Sequence, residues 1–391
     1  MKRPIFFIIS AVLVLVLLIA WVYVLFFSQT PTSDDSAFVN FPGNNSGEVG
    51  IQDPAQTDPV TDIRSNDRLR QLTLDPVIGF TEVRTTPNST PLVYYVTAGR
   101  GQVFSINLFS GEEERISGTT IASARYSAIT PNGAYVLTQA GRGSGSEFFV
   151  SPLNTGADNA PLTLIQEDII SFHATVDNTF LYAAKAGNGL VAKEYFPASS
   201  TSATLFSIPF QEAVIQWGDS ALDTHLVYPK ATTQLEGYLY VSQAGEPLAR
   251  AMPGGFGFSA TGNTANVLYS IQNRGVYTSS VYNLFTKEIT LLPISVIPQK
   301  CARMAILNRM LCAANAGTHS GRTPDDWHEG SASFADTIFE VNLRTGSMAV
   351  LSNTLDESGR AIDIINPTIG SQDVVLYFQN KNDQTLWLFA P

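Results

Sequence analysis

The sequence predicts an all-β protein, a seven-bladed β-propeller with six or eight blades as the neighbouring counts. Three observations predict it. A hairpin phrase recurs from about residue 80 to the end of the chain, as in Tyr94-Tyr95-Val96-Thr97 followed by Val103-Phe104-Ser105-Ile106. The spacing between copies is about forty-odd residues, enough for four short strands each. Turn formers punctuate the copies, as in Thr130-Pro131-Asn132-Gly133, Thr175-Val176-Asp177-Asn178 and Thr261-Gly262-Asn263-Thr264. These residues supply the fixed or left-handed φ that tight turns need.

The chain opens differently. Ile5 to Phe27 is an uninterrupted apolar run without a charge, preceded by Lys2 and Arg3. At ~1.5 Å per residue it spans the ~30 Å hydrocarbon core of a bilayer. Trp21 and Tyr23 stand near its far end, where amphipathic rings favour the interface. A cleaved signal peptide is the competing reading, but the run exceeds the usual ~7–15 apolar residues and no A-x-A site follows. The expectation is a single-pass anchor over 5–27. Residues 1–4 would be cytoplasmic by the charge rule, and the remainder would lie outside. Residues 28–67 are rich in Ser, Asn, Asp, Pro and Gly, with Arg64 the one basic residue. Such a segment cannot bury enough surface to offset chain entropy, and reads as a disordered acidic linker.

Residues 68–391 carry the repeat. The predicted blades run Pro76–Ser117, Ile121–Gln166, Asp168–Phe210, Gln211–Ala251, Gly254–Ile294 and Ile297–Ser352. The last, Ala361–Pro391, supplies three strands. Its missing outer strand is expected from Arg68–Thr73, so that the N-terminal strand closes the C-terminal blade and removes two sheet edges. The turns Leu108-Phe109-Ser110-Gly111-Glu112, Asn283-Leu284-Phe285-Thr286-Lys287 and Asn342-Leu343-Arg344-Thr345-Gly346 fall before the outer strands.

Pro-Asn-Gly before an apolar strand and Asn-Leu-x-Thr-Gly before a closing strand resemble the repeat of TolB-type and WD40-like propellers. The stretch from Lys300-Cys301 through Leu311-Cys312-Ala313 and Pro324-Asp325-Asp326-Trp327 to Asp336–Leu343 is more specific. It resembles single-pass, membrane-anchored propeller proteins of small-genome candidate-phylum bacteria, over roughly residues 68–391. That resemblance implies the fold and the anchor but assigns no activity.

Cys301 and Cys312 are the two cysteines. Alignment of the sixth unit on the second sets them opposite one another across a hairpin turning near Ala305–Asn308. Opposed positions are close enough for a disulfide, and the expected compartment permits oxidation. The alternative is two small buried strand residues. An eleven-residue spacing matches no zinc pattern.

The candidate binding face is the one carrying the second-to-third strand loops. The sixth unit has its long insertion there, Asn315 to Ser333, with His319, Arg322, Asp325, Asp326, Trp327 and His328. Trp327 is expected either to form a flat apolar platform or to pack the insertion onto its blade. The four His and Asp side chains could ligate a cation, but their spacing is irregular and no metal site is expected. Arg100, Arg142, Lys230, Arg274 and Lys381 stand in the other loops of that face and would make a local basic patch suited to an anionic ligand.

The chain is 391 residues, 44% hydrophobic and 15% charged, with a net charge of -11. That charge excludes a nucleic-acid surface, which needs a dense basic footprint. G-x-S-x-G elbows, P-loops and dinucleotide fingerprints are missing from the sequence. No cofactor is expected. The leading expectation is a non-enzymatic binding or scaffold module outside the membrane, facing an envelope polymer, peptide or protein partner. The alternatives are a glycan-active hydrolase or lyase using Asp325 and Asp326, and a structural envelope component.

Overall fold

The computed structural model describes residues 68–84, 89–153, 160–244, 246–304, 308–315, 322–372 and 375–391. The expected anchor over 5–27, the linker over 28–67 and His319 lie outside the described residues. Among the described residues no helix is long and apolar enough to cross a membrane.

The described residues begin with β1 (Leu69–Gln71) and then lay down antiparallel sheets in sequence order. The first holds β2 (Val77–Val83), β3 (Leu92–Thr97), β4 (Val103–Asn107) and β5 (Glu113–Ser117). The second holds β6 (Ala124–Ile129), β7 (Tyr135–Ala140), β8 (Glu147–Pro152) and β9 (Thr163–Ile165). The third holds β10 (Ile169–Ala174), β11 (Phe180–Ala186), β12 (Gly189–Phe196) and β13 (Thr201–Ile208).

A seven-stranded sheet follows: β14 (Ala213–Gln216), β15 (Thr224–Pro229), β16 (Glu236–Gln243), β17 (Ala249–Gly262), β18 (Asn266–Asn273), β19 (Val276–Asn283) and β20 (Ile289–Leu291). Next come β21 (Cys301–Arg303), β22 (Arg309–Ala314), β23 (Thr337–Asn342) and β24 (Met348–Asn353). The last sheet contains β25 (Ile364–Ile369), β26 (Leu376–Asn380) and β27 (Leu386–Phe389), and β1 returns to pair with β27. Leu69 stands opposite Phe389 and Gln71 opposite Trp387, so Arg68–Thr73 does cover the free edge.

The seven-stranded sheet corrects one expected boundary. The sequence divides two units between Ala251 and Gly254, yet β17 runs unbroken through both. Its first half pairs with β16 and its second with β18, with register shifts on both sides. Gly254 permits the crossing, because a Cβ there would lie 1.4 Å from the Gly237 carbonyl oxygen. A Pro-Gly-Gly run, normally read as a break, here lets one long strand serve two neighbours.

Side chains alternate along each strand, and the buried sets meet between sheets. Val96, Ile129 and Val136 join the first sheet to the second. Leu137, Phe148, Phe180 and Tyr182 join the second to the third. Leu190, Phe206 and Val227 continue to the seven-stranded sheet, whose two halves share Leu226, Leu239, Phe258 and Val267. Leu268, Val281, Cys312 and Val341 carry the series on, then Ile338, Ile364, Phe378 and Phe389. Tyr377, Leu388, Val93 and Ile106 return it to the first sheet. The core is therefore a cyclic series of apolar contacts.

Repeated Asx turns set the outer-strand register. Asn107 Oδ1 accepts from the amides of Phe109 and Ser110 at 2.9 and 3.1 Å. Asn283 and Asn342 repeat the contact with Phe285 and Thr286, and with Arg344 and Thr345. One short side chain thus closes each turn locally.

Candidate functional site

The described part of the β22–β23 insertion, residues 322–336, is docked onto the fold. Its short helix, Asp325–His328, places Trp327 in a small apolar cluster with Tyr277, Ile297, Phe334 and Ile365. Trp327 is 6% exposed, and its Nε1 donates to Asp363 Oδ1 and Oδ2 at 3.0 and 3.2 Å. Trp327 therefore packs the insertion down and offers no platform.

The side chains around it are similarly occupied. Asp325 Oδ2 accepts from Thr233 N at 2.9 Å and Thr233 Oγ1 at 2.7 Å, tying the insertion to the β15–β16 loop. Asp326 pairs with Arg322 at 3.4 Å, and Arg322 also reaches Glu329 at 3.0 Å. His328 stays exposed beside the Trp327 ring. Partial desolvation there, then Lys230 and Lys381, lower its pKa against the pull of Asp325. Lys381 turns inward and donates to the carbonyls of Trp327 and Ala332. It stands over the Trp327 ring at 4.6 Å, and desolvation lowers its pKa.

Beneath the insertion lies a buried ion cluster that the sequence reading does not identify. Lys300 is 1% exposed, and its Nζ contacts Asp336 Oδ2 at 2.7 Å and Asp363 Oδ1 at 2.6 Å. Both carboxylates are fully buried. Asp336 also accepts from the Ile364 amide at 2.7 Å, and Asp363 from the Phe334 amide at 3.2 Å. Burial pushes the Asp336 carboxyl up, opposed by Lys300 and the Ile364 amide. The cluster joins β21, the insertion and β25. These groups satisfy one another, as buried charges must. Among the described residues no group of His, Cys, Asp and Glu could hold a metal ion.

Cys301 and Cys312 are paired directly across β21 and β22 and form a disulfide.

Open volume lies elsewhere. A cavity of about 920 Å³ is walled by β2, β6, β10 and β25, each an edge strand of its sheet. Phe80, Tyr126, Ile170, Phe172, Val176 and Ile369 give it an apolar and aromatic lining. Tyr126 and Val176 keep 58% and 61% of their surface accessible there. Gly79 lets β2 and β6 approach, since a Cβ would sit 2.1 Å from the Ser127 carbonyl oxygen. Among the described residues the enclosed Ser127 Oγ has no hydrogen-bond partner.

Charged groups around this cavity differ in their freedom. Glu82 accepts from Arg84 Nε at 2.6 Å, Ser371 Oγ at 2.6 Å and Tyr377 OH at 2.7 Å. Burial raises its pKa, but those three hydrogen bonds outweigh it and hold the carboxyl low. Asp168 pairs with Lys185 and Asp219 with Arg303. His173 also lines the cavity, reached by solvent yet surrounded by protein. Desolvation by that wall lowers its pKa, with Asp219 opposing and His225 adding. His225 itself is fully buried; its Nδ1 accepts from the Gly218 amide at 3.0 Å.

A second cavity of about 480 Å³ adjoins the first, sharing Ile78 and Tyr126 with it. Its remaining lining includes Ser123, Arg125, Gly141, Arg142 and Gln384. Of the loop cations expected to gather, Arg142 alone lines either cavity. Arg100, Lys230 and Arg274 are exposed outside both, and Lys381 is engaged by the insertion. Arg125 takes the second place instead. It escapes notice in sequence because it stands inside a strand rather than in a loop.

No protein-family profile and no curated protein matches the chain. Solved structures do. The β-propeller domain of the Trilobed protease from Pyrococcus furiosus, described as having an open velcro topology, superimposes with a TM-score of 0.51 at 12% identity. That match covers 80% of this chain and 95% of the other. The Cps50 (Swd1) β-propeller domain of Myceliophteria thermophila gives 0.50 at 11% identity, covering 83% and 99%. The likeness carries the β-propeller fold and nothing about chemistry.

Proposed function

We propose that this propeller is a non-enzymatic binding module, held to a membrane by residues 5–27 and displayed on its outer side. Its ligand sits in the axial cavity. The observation that carries this reading is the cavity itself: about 920 Å³ with exposed apolar and aromatic side chains on its β-strand walls. That size and lining suit a small organic ligand or a few residues of peptide. The insertion is spent on anchoring, so it supports neither a platform nor the paired acids of a glycosidase.

The Cys301–Cys312 disulfide supports an oxidising compartment. The TolB-like or WD40-like kinship and the seven-blade count belong to the same reading, with the seven-stranded sheet counted as two blades sharing β17. The partner is an envelope peptide or polymer end rather than nucleic acid.

Thr368 is exposed on the cavity wall, so Thr368→Trp fills the space without disturbing the core. The full chain in nanodiscs is incubated with fractionated envelope extract and analysed by native mass spectrometry. Retention of a small ligand by the parent protein and its loss in Thr368→Trp is the expected result. Equal retention by both places the ligand elsewhere.

A further inference from the structure

We infer that the cavity beside the axial one is an anion site, in which Arg125 and Arg142 take the terminal carboxylate of a ligand. This deepens the binding reading above and rests on it. Its lining includes two arginines, Arg125 and Arg142, and no acidic residue. Four other arginines pair with acids within the protein, Arg84 with Glu82, Arg303 with Asp219, Arg309 with Glu340 and Arg360 with Asp383, while Arg100, Arg274 and Arg344 stand exposed outside both cavities. Arg125 is half-buried, and neither it nor Arg142 makes an ion pair or side-chain hydrogen bond with a described residue.

A partly desolvated cation without a partner is costly, and an arriving anion offsets that cost. The planar guanidinium fork fits a carboxylate through two parallel hydrogen bonds. Ser123 and Gln384 line the same space with neutral donors.

The wall is already in place. Gly99 N donates to Ala124 O at 2.9 Å, and Gly141 N to Ser123 O at 3.1 Å. These bonds fix two hairpin turns against the start of β6, which carries Arg125. Gly141 at φ +81° makes the bend that brings Arg142 round. Little ordering is therefore left for binding to supply.

The shared residues Ile78 and Tyr126 set the shape of the ligand. A carboxylate held at the arginines leads directly past them into the apolar axial cavity. The ligand is thus an apolar body ending in one carboxylate. The free C-terminus of a short peptide and an acyl chain acid both have this chemistry.

The test uses the full chain in nanodiscs and isothermal titration with four probes: an N-acetylated apolar tripeptide, its C-terminal amide, octanoate and octanol. The acid of one pair or both binds roughly tenfold or more tightly than its neutral counterpart, as a charge-assisted contact requires. The pair showing the preference identifies the source. Arg125→Gln and Arg142→Gln each remove the preference and leave the neutral probe unchanged, and Arg125→Lys restores it in part. Arg274→Gln, an exposed cation outside both cavities, changes nothing.

Equal binding of acids and neutral counterparts, an equal loss in Arg274→Gln, or no binding by any probe overturns the inference. Thr368→Trp separates the two readings. If it abolishes all binding while acids and neutral probes never differ, the axial site stands and the anion site falls. If the Arg125-dependent preference survives it, the anion site stands and the axial site falls.

Discussion

Replacing Lys300 with Met tests the buried ion cluster at its centre. The ammonium is 1% exposed and bridges two fully buried carboxylates at 2.7 and 2.6 Å. Its loss leaves Asp363 with Trp327 Nε1, the Phe334 amide and Lys381 at 3.9 Å. Asp336 keeps one amide, from Ile364, and no cation. Removing one member of such a set costs about 3–5 kcal/mol, because a charge remains buried and unpaired. The same reasoning predicts that Lys300→Met with Asp336→Asn recovers more than half of the loss. Guanidinium unfolding monitored by circular dichroism gives both values from midpoints and slopes. The loss should also shrink in acid. The orphaned Asp336 has a folded pKa above its unfolded one, so its penalty is present above the folded pKa and relieved as pH falls through it. Limited proteolysis should cut the insertion faster in the single variant. A loss below about 1 kcal/mol, or a double variant no better than the single one, refutes the argument.

Other outcomes follow from the same structure. Leu72→Ala empties a site 2% exposed between the closing strand and the first sheet, and should cost about 2–5 kcal/mol in chemical unfolding. Gly254→Ala would set a Cβ 1.4 Å from the Gly237 carbonyl oxygen; forcing β16 and β17 apart should cost at least about 1–3 kcal/mol, read as a lower melting temperature. Reducing Cys301–Cys312 opens a loop with sequence separation 11 and should lower stability by about 2–3 kcal/mol, compared with and without dithiothreitol. Burial lowers the His225 pKa, so its contribution is complete above the unfolded value near 6.5 and lost as pH falls through the lower folded value. Thermal scans should show stability dropping on acidification in that window, and His225→Asn should flatten the drop while lowering stability at pH 8.

The architecture was legible where the signal is local. Asn283 and Asn342 announce turns through contacts two and three residues away. Leu69, Gln71 and the opposed cysteines follow from the repeat's own register. The fused strand β17 was not legible, because Pro253-Gly254-Gly255 reads locally as a break while the close approach of Gly237 makes it a crossing. The sequence does not decide the role of Trp327, since its partner Asp363 is 36 residues away and precedes β25 of another sheet. Lys300 and Asp336 escaped for the same reason. The basic loop residues shared a face by topology, but the direction of each side chain depends on local φ and neighbours. Arg142 lines a cavity, Lys381 folds under the insertion, and Arg125 joins Arg142 from within a strand.

Photo-cross-linking tests the axial binding site most directly. An apolar tripeptide carrying a benzophenone side chain and a free carboxylate is irradiated with the full chain in nanodiscs, and the adducts are mapped by peptide mass spectrometry. Labels on Tyr126, Phe172 and their neighbours in β6 and β10, lost in Thr368→Trp, are the predicted result. Labels confined to the insertion or the outer strands, unchanged in that variant, would contradict the account.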